Sequence, residues 1–329
     1  MRKMMRIAAG LTVFLMAAGA GCNKSNRMTP EEMQAKSEAL VEAVKSNNVD
    51  EVRRLIAEGA EPNTATPQDD WKGAGYISVL IIAVRNNFAE VAKILIDGGA
   101  NPNTEFDGWT ALMHAAAMNS VDAAKVLIEG GADVNARKFA AGPLALAVFF
   151  DSVDVARLLI AGGADVNAKN RDTPVLIAMT KAEVNDEERN VEMVRLLIEA
   201  GADVNAKDTK GNTALMKNDV DVARLLIAGG ADVNAKNNHG ETALMLNNYS
   251  VAMSKLLIEA GADVNAKANN GETALMYTTY NDYVDVAKVL IDAGADVNAK
   301  TNSGKTVLMY ASDYDAPNVR KLLLAAGAQ

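Results

Sequence analysis

The chain has 329 residues, 49% hydrophobic, 23% charged and 5% aromatic, a globular composition that excludes a disordered or collagen-like chain. One cysteine excludes an intramolecular disulfide, and with two histidines it leaves too few soft ligands for a zinc cluster or a histidine-based triad. With 33 Lys and Arg against 42 Asp and Glu the net charge is −9, so the basic footprint of a nucleic-acid binder is missing.

Residues 1–22 open with Arg2, Lys3 and Arg6, run apolar from Ile7 to Ala20 and end in small residues and Cys22. The run is shorter than the roughly 18 residues a spanning helix wants, and no charged stop follows it. This layout predicts a cleaved secretory signal peptide over residues 1–21. Small residues directly before a lone cysteine resemble a bacterial lipoprotein signal, which implies that Cys22 becomes the lipidated first residue of the mature chain. Gly19 departs from that pattern, which usually carries Leu there, and ordinary cleavage nearby is the alternative. By the same resemblance, Asn23 in place of aspartate favours the outer membrane. The mature chain would lose three basic residues and carry −12.

Residues 22–36 read as a lipidated tether and first cap. NKSNRM at 23–28 shows no apolar periodicity, and Thr29-Pro30-Glu31-Glu32 has the form of a helix start with a capping box.

From residue 37 to 329 one motif recurs. GADVNA stands at 131–136, 163–168, 201–206, 230–235, 261–266 and 294–299, with diverged copies at Gly59, Gly99 and Gly327. The nine marker glycines are 29 to 40 residues apart, centred on about 33, which predicts a solenoid of about nine repeats. Residues 108–136 display the grammar. Thr110 caps a first helix whose Leu112, Ala115 and Ala116 form a narrow apolar face. Ser120 and Asp122 begin a second, carrying Val126, Leu127 and Ile128 and ending at Gly130-Gly131. Ala-Asp-Val-Asn-Ala then makes a hairpin-like loop. Such a pair cannot bury its own apolar face, but stacked neighbours can.

The period, the Thr-Ala-Leu-Met or Thr-Pro openings and the Gly-Ala-Asp-Val-Asn closings resemble ankyrin repeats. The resemblance implies an all-α solenoid and a protein-binding role, with first helices lining a concave face. Methionine replaces the family's opening histidine at Met113, Met216, Met245, Met276 and Met309, so thioether packing takes the place of a histidine network. Irregularities are an enlarged loop from Asn63 to Tyr76 holding Trp71, a polar insertion at 181–190, and first helices shortened in repeats six and seven.

No catalytic constellation emerges. Asp133, Asp165, Asp203, Asp232, Asp263 and Asp296 occur once per repeat, about 10 Å apart at helix-packing distances, too far to share a metal and suited to local turn bonds. His114, expected on the exposed side of its helix, and His239, in a loop, are about 40 Å apart on the same spacing. The Gly-Gly pairs follow helices, whereas phosphate sites need a helix N-terminus. The sequence therefore predicts neither cofactor, metal nor catalytic residues.

Aromatic clustering is the surface signal. Tyr277, Tyr280, Tyr283, Tyr310 and Tyr314 fall on or after first helices, with Tyr249 just before, and either form a protein interface or fill gaps between helices. Trp71, Phe106, Trp109 and Phe139 form a second candidate group near the N-terminal loops. The expectation is a non-catalytic protein-interaction scaffold, lipid-anchored on the periplasmic side of a bacterial envelope, with a protein partner and no nucleic acid. The alternative is a protective, immunity or inhibitory factor that binds a periplasmic enzyme or toxin.

Overall fold

A computed structural model describes residues 28–70, 73–137, 141–168, 187–217 and 220–329. The signal segment, Cys22, Trp71, Phe139 and the side chains of the 181–190 insertion lie outside the described residues. The chain enters through α1 (Pro30–Lys45), whose start is the capping box foreseen from its sequence. Thr29 N donates to Glu32 Oε2 at 2.8 Å, and Glu32 N donates to Thr29 Oγ1 at 3.2 Å.

Helix pairs follow one another. After α2 (Val49–Ala57) come strands β1 (Ala65–Asp70) and β2 (Gly73–Ser78), then α3 (Val79–Arg85) with α4 (Ala89–Asp97). Strands β3 (Glu105–Phe106) and β4 (Trp109–Thr110) precede α5 (Ala111–Met118) and α6 (Val121–Glu129). Next are α7 (Pro143–Phe149), α8 (Val153–Ala161) and α9 (Glu187–Glu199). A 3-10 turn at Ala214–Lys217 leads to α10 (Val220–Ala228), and α11 (Ala243–Leu246) to α12 (Val251–Glu259). The last repeats are α13 (Ala274–Tyr277), with its 3-10 extension Thr278–Asn281, and α14 (Val284–Asp292), then α15 (Val307–Asp313) and α16 (Pro317–Ala325). First helices pack on first helices and second on second, giving two rows.

The second helices between the terminal repeats share one burial pattern. In α8 the residues Val155, Ala156 and Leu159 are fully buried, as are Ala123, Ala124 and Leu127 in α6. Small residues at the middle position let neighbouring helices approach, and each buried leucine contributes about 1.5–3 kcal/mol. The helix ends where Gly163, at φ +87°, or Gly131, at φ +86°, turns left-handed.

The loops build a second continuous structure. Asp133 Oδ1 accepts the Asn135 N–H at 2.9 Å, and Asp165, Asp203, Asp232, Asp263 and Asp296 do the same two residues on. That is the local turn role expected of the acidic row. The asparagine then reaches across the stack: Asn135 Oδ1 accepts Asp165 N–H at 2.8 Å while its Nδ2 donates to Gly163 O at 3.1 Å. Bonds of this kind run from Asn63 to Asn298.

Two features depart from the simple sequence pattern. The enlarged loop is a β-hairpin, β1 pairing antiparallel with β2 from Ala65↔Ser78 to Asp70↔Gly73. Its absence of apolar alternation hid it; the pairing is supported from the next repeat, where the Phe106 ring lies against Gly75 in space that a β-carbon would crowd. The shortened repeats six and seven keep four-residue first helices, and Thr242 in repeat seven and Thr273 in repeat eight make no side-chain cap bond, unlike Thr110 and Thr306.

Candidate binding surfaces

Four of the five predicted tyrosines come together. Tyr280 meets Tyr277 edge-on at 5.5 Å, Tyr314 at 4.5 Å and Tyr310 at 6.4 Å between ring centroids. Three of the hydroxyls are aimed inward at two carboxylates. Tyr277 donates to Glu241 Oε1 at 2.7 Å, and Tyr310 and Tyr280 donate to Glu272 Oε1 at 2.6 and 3.3 Å. Glu272 is 8% exposed and Tyr310 9%, whereas Tyr314 is 49% exposed. Burial, reinforced by the adjacent carboxylates, pushes the phenols of Tyr277, Tyr280 and Tyr310 well above the ordinary tyrosine range. Tyr283 is separate: it stands at the N-terminus of α14, half-buried against the core. Tyr249 is exposed.

The cluster ends a polar chain. Lys217 Nζ pairs with Asp208 Oδ2 at 2.8 Å, Asn212 donates to the same oxygen at 3.2 Å, and Asn237 Nδ2 bridges Asn212 Oδ1 and Glu241 Oε2 at 3.0 and 2.8 Å. Burial opposes the charge of Asp208, but hydrogen bonds from Lys217 and Asn212 hold its carboxyl below the usual value.

Aromatics gather differently in the N-terminal half. Trp109 is half-buried, 5.5 Å from the His114 ring and 6.4 Å from Phe150, and Phe106 lies 6.2 Å from His114. His114 is not on an exposed side as its sequence position suggested; it is 7% exposed, with Nε2 3.3 Å from Phe106 O. The β3–β4 turn folds over its face of α5, which the helical period alone could not reveal. Burial lowers its pKa to about 4, with the nearby Arg85 charge adding to the effect.

Beside these rings, a groove of about 540 Å³ opens between the β1–β2 hairpin and the C-terminal ends of α1, α3 and α5. Lys45 and Arg85 supply its charge, Ile77 and Ile82 its apolar wall, and Met118 its edge. Met118, Phe149 and Phe150, at the ends of α5 and α7, are 52%, 49% and 43% exposed. Sequence reasoning passed over these residues. The available signal was a large apolar residue in the last turn of a first helix, where α1 ends in Lys45, α3 in Arg85 and α15 in Asp313.

Among the described residues no group of three or more His, Cys, Asp or Glu could hold a metal ion, and no helix is long and apolar enough to cross a membrane. A family model described as ankyrin repeats in three copies matches residues 40–138, 80–170, 184–268 and 246–329. No curated protein matches the chain. Among solved structures, the crystal structure of the human ASB11 ankyrin repeat domain aligns with a TM-score of 0.55 at 26% identity, over 68% of this chain and 98% of that one. The family match extends over most of the chain and coincides with the stacked helix pairs, so this protein belongs to the ankyrin repeat family.

Proposed function

We propose that the protein is a non-catalytic interaction scaffold held at a bacterial envelope membrane by lipid on Cys22, with residues 1–21 removed as its signal peptide. Ankyrin repeats in general bind protein partners. The observation that carries the reading here is the row of first-helix ends, where Met118, Phe149 and Phe150 in one half and Tyr314 in the other are roughly half exposed. Large apolar side chains aligned on one side of a rigid stack suit docking of a protein. A lipid anchor would confine that docking to the periplasmic face of the membrane, the outer membrane being favoured by Asn23.

Lipidation is tested by Cys22→Ser with a fatty-acid analogue: label and membrane association are expected for wild type only. Wild-type protein found wholly in the soluble fraction rejects the anchor. Binding is tested by crosslinking in the intact envelope, with Tyr277→Ala, Tyr310→Ala and Tyr314→Ala, and with Trp71→Ala and Trp109→Ala, compared for capture and for melting. Lost stability with retained capture assigns the altered aromatics to packing rather than to the interface.

A further inference from the structure

The groove under the β1–β2 hairpin is lined by two cations. Among the described residues its charged lining side chains are Lys45 and Arg85, with no carboxylate beside them, in a chain whose net charge is −9. Lys45 is engaged by Glu42 on its own helix at 3.0 Å, but among the described residues Arg85 makes neither a hydrogen bond nor an ion pair through its side chain. Ile82, one turn before Arg85 on α3, forms the adjoining wall, and Met118 continues the surface to the next repeat. Phe149, at the end of α7, lies one repeat further along the row. At about 10 Å per packed helix, Arg85 and Phe149 are two steps or about 20 Å apart.

We infer that this surface binds an extended segment of a partner protein carrying an acidic side chain for Arg85 and, about six residues away, a large apolar side chain for the Met118–Phe149 ledge. The inference rests on the scaffold reading and specifies its partner. A guanidinium accepts a carboxylate in a two-pronged pair that fixes register. The net negative charge of the chain disfavours non-specific contact with an acidic segment, and charge complementarity favours this groove. The exposed ledge beyond it supplies the apolar contact.

The experiment uses the full-length protein in detergent and two pools of fluorescent nonapeptides. One pool has Asp or Glu at the first three positions and Leu, Met or Phe at the last three; the other has Lys or Arg in place of the acids. The acidic pool should bind about tenfold or more tightly. Arg85→Gln should remove most of that preference and Arg85→Glu invert it. Phe149→Ser should weaken binding several-fold with the preference kept, circular dichroism being unchanged throughout. Equal binding of the two pools, or an unaltered preference in folded Arg85→Gln, overturns the inference. So does binding to phosphatidylglycerol vesicles that depends on Arg85 when neither pool binds, which would assign the cations to lipid. An envelope partner crosslinked equally by wild type and Arg85→Glu overturns the groove assignment alone and leaves the scaffold reading standing.

Discussion

The N-terminal repeats, up to α8, and the C-terminal repeats, from residue 206 on, solve the same stacking problem with different means. In α3, α5 and α7 the first helices are seven or eight residues long and bury runs such as Val79, Leu80, Ile81, Ala83 and Val84. Repeats six and seven have only four residues there, and bury Leu215 and Met216 or Leu244 and Met245. A polar lattice compensates. Lys207 Nζ donates to Lys236 O at 2.8 Å, Lys236 to Lys267 O at 2.9 Å and Lys267 to Lys300 O at 3.0 Å. Beside that ladder, Asn238, Asn269 and Asn302 donate side-chain bonds to the preceding loop. A stack with less apolar area per repeat can therefore hold its register through hydrogen bonds between loops, at the cost of demanding particular residues there.

Spectroscopy can follow the halves separately, since both tryptophans precede residue 110 and six of seven tyrosines follow residue 248. The largest expected effect is Leu112→Ala, a fully buried residue of α5, which should cost about 2–5 kcal/mol. In urea the tryptophan transition should move to lower concentration while the tyrosine transition stays near its wild-type midpoint. Coincident shifts would show that the two halves unfold as one unit.

Changing pH should part the halves next. His114 ordinarily titrates near 6.5 but at about 4 when folded, so the native state favours its neutral form. That stability is full above pH 6.5, declines as the pH falls below it and is gone below about 4, a loss of about 3 kcal/mol. His114→Leu should flatten this dependence in the tryptophan signal. The tyrosines have the opposite sign. Their phenols titrate higher in the fold than in the unfolded chain, so the C-terminal half should lose stability as pH rises above 10. Tyr277→Phe with Tyr310→Phe should blunt that alkaline loss.

A third variant sharpens the claim about the loop lattice. Gly240 sits at φ +76°, and a β-carbon there would collide with the Asn269 side chain, so Gly240→Ala should cost about 1–3 kcal/mol. Gly294 has φ +90° with open space around it, so Gly294→Ala should cost about 1 kcal/mol from backbone strain alone. Equal melting points for the two variants would remove the packing argument. The smallest effect is expected of Lys236→Met, which deletes one exposed rung and should cost about 0.5 kcal/mol, read as a shift of the tyrosine transition only.

Much of this architecture was present in the one-dimensional pattern, because its causes are local. A glycine that must turn left-handed, an aspartate bonding two residues ahead and a Val-Asp-Val-Ala helix start each act within a few residues, and nine copies made the period unmistakable. Even the shortened first helices were visible as missing residues before Val220 and Val251. The tertiary structure alone decided which side chains of a first helix remain accessible, since that depends on the neighbouring repeat. His114 became a buried base because β3–β4 folds over it, and Tyr277, Tyr280 and Tyr310 turned inward because Glu241 and Glu272 arrive from loops up to 38 residues away. Met118 and Phe149 remain about half exposed at the ends of their helices, which the helical period alone does not set. Periodicity determines that repeats stack; it does not specify what each repeat leaves for a partner.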